Sequence, residues 1–136
     1  MANAIYPKWK EALIQASSNV ALTGTVKATL VDLADYTYNA AHDFYDDVPS
    51  GARVATATLS SGKSYTNGVF DADDITFTSV TGDQSEALII WIDTGVESTS
   101  RLVAFLDTGI TGLPVTPSGG NITVTWDSGA NKIFAL

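Results

Sequence analysis

The residues that most constrain this chain are Leu88-Ile89-Ile90-Trp91-Ile92. Five large apolar side chains in succession offer water no polar face, whatever period the backbone adopts. The run from Ala87 to Ile92 has the length of one strand, far short of the roughly 18 apolar residues of a membrane span. Such a run fits a strand covered on both sides.

The segments around it alternate with period two. Val26, Ala28 and Leu30 interleave with Thr25, Lys27 and Thr29, which predicts a strand over 25–32 with one buried face. Strands are likewise expected over 53–59, 64–66, 75–80, 101–107, 121–126 and 132–136, with turns at Ser60-Ser61-Gly62, Asn67-Gly68 and Gly119-Gly120. Before them, Pro7, Trp9, Ala12, Leu13 and Ala16 follow helical spacing and predict a short amphipathic helix over 7–16. Tyr36 to Asp47 is ambiguous, with a helical turn capped by Asn39 as one reading. The expected fold is all-β: a single antiparallel β-sandwich or jelly-roll-like barrel with a short N-terminal helix or arm. Residues 1–24 are read as the arm and 25–136 as the body of one domain, and 136 residues suffice for one core.

The formal charge is −8, but it is unevenly placed. Residues 1–27 carry Lys8, Lys10 and Lys27 against Glu11, a net +2; the rest carry four bases and fourteen acids, a net −10. An acidic body disfavours nucleic acid. A mildly basic leader suits docking on an acidic neighbour, another copy included. No secretory leader is read at the N-terminus, because Pro7, Lys8, Lys10 and Glu11 interrupt the apolar residues. The absence of cysteine excludes disulfides, thiolate catalysis and iron–sulfur clusters, and the single histidine excludes a multi-histidine metal site.

Three constellations invite a chemical reading. Asp93-Thr94-Gly95 and Asp107-Thr108-Gly109 repeat the tripeptide with which aspartic proteases bring two carboxylates together. If 86–93 and 101–107 form a hairpin, however, the two aspartates lie at opposite ends, roughly 20 Å apart. They then end strands, and Arg101 is expected to pair with Asp93 across the hairpin. Asp71, Asp73 and Asp74 offer oxygens to calcium but lack the order of an EF-hand, so a solvated turn is expected; Asp43, Asp46 and Asp47 form a weaker group of the same kind. His42 has neither a nucleophile elbow nor an assigned acid beside it. No enzyme, cofactor or metal is expected. The Asn121-Ile122-Thr123 sequon lies in an expected strand and is set aside.

Trp91 and Trp126 sit in apolar strands and are expected in the core. Tyr6, Trp9 and Leu13 lie on the leader and are the candidate interface residues. They either plug the domain's own core or anchor on a neighbouring subunit.

Segments 1–10 (Met-Ala-Asn-Ala-Ile-Tyr-Pro-Lys-Trp-Lys), 80–89 (Val-Thr-Gly-Asp-Gln-Ser-Glu-Ala-Leu-Ile), 112–117 and 131–134 together resemble small β-rich virion structural proteins of tailed bacteriophages. The resemblance spans nearly the whole chain and implies a role in the particle, with no catalytic motif to carry over. Among such proteins the commonest role is a capsid decoration or cement protein, bound outside the major capsid shell. It implies as partners the major capsid protein and further copies of the chain, as homodimer or homotrimer, with no nucleic acid and no membrane. The place implied is the capsid exterior of the virion, after synthesis in the bacterial host cytoplasm. The alternative is a tail-fibre or baseplate module that binds a host-surface receptor.

Overall fold

In a computed structural model, which describes residues 3–136, the apolar run forms a strand at the centre of the largest sheet. In chain order the elements are β1 (Ala4–Ile5), α1 (Pro7–Ile14), β2 (Val26–Val31), β3 (Arg53–Thr58), β4 (Val69–Phe70), β5 (Ile75–Phe77), β6 (Ala87–Ile92), β7 (Leu102–Leu106), β8 (Ile122–Val124) and β9 (Phe134–Ala135). Five strands form one antiparallel sheet in the order β1-β7-β6-β2-β3. Two small antiparallel ladders, β4–β9 and β5–β8, complete an all-β, sandwich-like fold.

Every residue of β6 and β7 is buried. Strand alternation puts Leu30, Leu88, Ile90 and Leu106 on one face of the sheet, in one continuous apolar cluster with Phe70, Phe77, Val124 and Phe134 of the small ladders. Thr29, Ile89, Trp91 and Phe105 occupy the other face. The irregular segment between β2 and β3 covers them: Tyr38 packs on Phe105 and Tyr45 stacks on Trp91. The covering of β2 on both faces corrects the expectation of one buried face, and a nominal loop provides the second cover.

The leader is not a separate arm. β1 pairs with β7 as the sheet's edge strand, Ala4 opposite Phe105 and Ile5 opposite Ala104. Asn3 extends the pairing with side-chain hydrogen bonds to the backbone of Asp107 and Thr108. α1 begins at Pro7, whose missing N–H is no loss at a helix start, and buries Trp9 and Ala12. It ends two residues before the expected Ala16. There the Ser17 N–H reaches back to the Ala12 carbonyl and the Ala16 N–H to that of Leu13, with Ala16 in the left-handed region at φ 53°. This is the Schellman arrangement, with alanine where glycine is usual.

Other boundaries differ more modestly. The strand expected at 64–66 is a single bridge between Ser64 and Asp71, followed by a turn in which Asn67 and Gly68 both have positive φ. The Asn39 side chain accepts the Ala41 N–H in a turn, not at the head of a helix, and one short 3-10 turn follows at Tyr45–Asp47. At Gly112, with φ of 109°, a Cβ would stand 2.9 Å from the Thr123 carbonyl oxygen, so the backbone there admits only glycine. Among the described residues no helix is long and apolar enough to cross a membrane.

Candidate functional site

α1 lies beside the β4–β9 ladder, and the contact leaves a groove. Trp9 reaches inward from the helix. Its indole N–H donates to the Val20 carbonyl at 3.0 Å, and its ring stands nearly perpendicular to that of Phe134, centroids 5.8 Å apart. Leu13, one turn on, is half-buried and packs against the same core. With Leu22, Tyr65, Phe70 and Leu136 they line an apolar depression of about 200 Å³. Its shallow end continues over Ile14 and Lys10. Four large apolar residues are exposed in the described chain, and three of them ring this groove: Ile14 at 87%, Leu136 at 65% and Tyr65 at 42%. Exposed apolar side chains converging on one hollow mark a contact surface.

The three candidate interface residues thus divide. Leu13 and the outward edge of Trp9 line the groove, although Trp9 is almost wholly buried. Tyr6 does not take part. It is fully buried, and its hydroxyl shares a 2.7 Å hydrogen bond with that of Tyr36, which in turn meets Nδ1 of His42 at 2.9 Å. Burial, with the neighbouring Tyr36, pushes the Tyr6 phenol far above its ordinary value, and burial raises Tyr36 as well. Tyr6 and the inner face of Trp9 therefore plug the chain's own core. Leu13, Ile14, Tyr65 and Leu136 are what remain accessible at the groove. Helical periodicity singled out Leu13; the parts played by Tyr65 and Leu136 depend on long-range packing that spacing does not show.

The aspartates are accounted for by local geometry. β6 and β7 form the expected hairpin, with Leu88 opposite Leu106 and Trp91 opposite Leu102. Asp93 and Asp107 sit at its two ends. Asp93 does not pair with Arg101. Lys27, from the neighbouring β2, takes it at 2.7 Å, and its other oxygen accepts the Gly95 N–H. Those two donors hold the Asp93 carboxyl below the usual range. Arg101 instead donates to the Ser18 carbonyl and lies over the Phe44 ring. Asp74 accepts the Trp126 N–H, and the Asp73 carbonyl accepts the Trp126 indole N–H, so this acidic loop anchors a buried tryptophan. Asp47 accepts the N–H groups of Asp43 and Phe44; burial and the nearby Asp47 raise the Asp43 carboxyl. Asp32, Asp35 and Asp83 bring carboxylate oxygens within 4.8 Å of one another, a meeting that sequence spacing did not reveal. Asp35 and Asp83 are exposed, which makes this a solvated acidic corner.

A second accessible feature stands at the tip of the β6–β7 hairpin. Val96 is 56% exposed, the only large apolar residue so exposed away from the groove among the described residues. Its carbonyl accepts the Thr99 N–H, and the hydroxyls of Thr94, Thr99 and Ser100 gather around it in one network, those of Thr94 and Thr99 only 2.6 Å apart. The next residue, Glu97, takes both terminal nitrogens of Arg53 at 2.9 and 3.0 Å, which lowers its carboxyl pKa.

No protein-family model matches the chain, and no curated protein matches it.

Proposed function

We propose that this chain is a structural component of a tailed-bacteriophage virion, and specifically a decoration or cement protein on the outside of the major capsid shell. The observation that carries the reading is the groove beside α1. It is apolar, open and ringed by the exposed Ile14, Leu136 and Tyr65, as suits an assembly contact. The phage-like segments at 1–10, 80–89, 112–117 and 131–134 support the same reading. A cement protein gains from repetition, since many modest contacts on a closed shell act together. A sheet whose central strands are covered on both faces suits a part that must transmit load without deforming.

The test is direct. Virions of the encoding phage, purified and reconstructed by electron cryomicroscopy, are expected to carry the chain in regular array on the capsid exterior. Particles lacking it are expected to lose DNA at lower temperature. Absence of the chain from purified virions overturns the proposal. Density on the tail in place of the shell assigns it instead to receptor binding, with adsorption as the property lost on deletion.

A further inference from the structure

β1 and β9 are both edge strands, and their free edges border one hollow. The Tyr6 N–H donates to the Val103 carbonyl at 2.9 Å. Successive residues of an antiparallel strand turn their N–H and C=O to opposite sides, so those of Ile5 point away from β7. The same holds near the other terminus. The Leu136 N–H donates to the Gly68 carbonyl at 3.0 Å, so Ala135 turns its N–H and C=O away from β4. Among the described residues no backbone group pairs with Ile5 or Ala135 on these free sides. Both residues are half-buried, and both line an open hollow of about 390 Å³. The buried Leu106 and Ile133 give it an apolar floor. Its charged residues are one of each sign, Asp127 and Lys132, so charge does not select an occupant.

We propose that an extended, proline-free segment of a different protein enters this hollow as an added β-strand. Two strand edges with unused N–H and C=O groups ask for backbone as their partner. An extended chain presents N–H and C=O alternately to its two sides, so one segment serves Ile5 and Ala135 together. Every second side chain then meets the apolar floor and the others face water, which selects an alternation of apolar and polar residues. Proline is excluded where the segment must donate, because it has no N–H. The added strand joins the five-stranded sheet to the β4–β9 ladder, whose edges otherwise stop at each other across the hollow. Among the described residues each strand of this chain is already paired in a sheet, so a folded second copy has no spare strand to lend. The two edges are only two residues long, which guards against indiscriminate pairing and sets a weak affinity for a free peptide, on the order of 1 mM. The site is distinct from the groove beside α1 and does not rest on the virion reading.

Titration of the isotope-labelled full chain with the peptide acetyl-Lys-Thr-Val-Thr-Val-Thr-Lys-amide, followed by nuclear magnetic resonance, tests it; the peptide alternates strand-favouring residues and is kept soluble by its lysines. Saturable shifts are expected at the Ile5 and Ala135 amides, with exchange of both amides slowed at least about tenfold at saturation. The same peptide N-methylated at both valines has no donor for one of the two edges and is expected to bind at least about tenfold more weakly. Ala135→Pro removes an outward N–H and no bond of the β4–β9 ladder, so it is expected to keep the wild-type melting temperature and weaken binding at least about threefold. The methylated peptide decides the matter on the wild-type chain should that variant fail to fold. No saturable change up to about 10 mM peptide, shifts centred instead on Thr56 and Thr58 of β3 at the sheet's other edge, or equal binding of the methylated peptide overturns the inference. A chain found on virions that ignores the peptide defeats this inference alone; a chain that binds the peptide yet is absent from virions defeats the virion reading alone.

Discussion

The ring of Tyr45 lies flat on the indole of Trp91, centroids 3.8 Å apart and planes 8° from parallel. Thr29, fully buried in β2, links the polar edges of the two side chains. Its hydroxyl oxygen accepts the Trp91 indole N–H at 2.9 Å and lies 3.0 Å from the Tyr45 hydroxyl and 2.9 Å from that of Thr56. The Arg53 guanidinium covers the outer face of Tyr45 at 4.0 Å. One small hydroxyl thus joins the irregular cover to the sheet. Thr29→Val keeps the shape and removes the partner of a buried indole N–H and a phenol. It is expected to cost about 1–3 kcal/mol in urea unfolding, whereas Thr56→Val, nearer the edge, is expected to cost less.

Removal of residues 1–16 takes away β1, Tyr6 and Trp9 together, so the truncated chain is expected to lose its cooperative thermal transition. Trp9→Ala alone is expected to cost about 3–5 kcal/mol. A truncated chain with wild-type circular dichroism and melting would show the leader to be dispensable to the fold.

Ala16 gives a prediction of opposite sign. It occupies the left-handed position that closes α1, where a side chain is strained. Ala16→Gly relieves that strain but adds freedom to the unfolded chain. The net expectation is a gain of about 0.5–1 kcal/mol, read as a higher denaturation midpoint at unchanged slope.

Stability is expected to fall at both ends of the pH scale, for different groups. Asp93 and Glu97 titrate below the ordinary carboxyl range in the folded protein. As pH drops through that range the unfolded chain takes up protons first, and the stability these pairs contribute near neutrality is lost. Asp93→Asn is expected to flatten the acid limb of a melting-temperature profile while costing under about 1 kcal/mol at neutral pH, the pair being partly exposed. Tyr6 and Tyr36 titrate above the ordinary phenol value, so their contribution is complete below about pH 10 and is lost as pH rises beyond it. Tyr6→Phe is expected to move the alkaline limb upward. An unchanged limb would mean that another group controls it.

Much of the architecture was legible in single residues. The run Leu88–Ile92 demanded cover on both sides and has it, and Pro7, Trp9 and Ala12 marked a helix that is present. What escaped was set by partners distant in sequence. Lys27 outcompetes Arg101 for Asp93 because β2 lies beside β6, an adjacency no hairpin argument contains. The segment from Tyr36 to Asp47 has no period, because it acts through a few aromatic rings laid on a sheet and not through a repeating face. Of the candidate site, Leu13 was visible in the helical stripe. Tyr65 and Leu136 reach the groove only once β4 and β9 have paired.

The pairing of Ala4 and Ile5 with β7 also bears on the order in which the protein forms. During synthesis β1 leaves the ribosome about 100 residues before the strand it joins. Until Leu102–Leu106 has emerged, Tyr6 and Trp9 have no sheet to enter and must remain in water or in passing contacts. β1 can therefore take its place in the sheet only after β7 has emerged. Closing so long a loop slows folding relative to a protein of local contacts. A nascent chain halted before residue 102 would carry two exposed aromatic anchors and an unfinished sheet edge, the state most in need of protection from its neighbours on the same messenger.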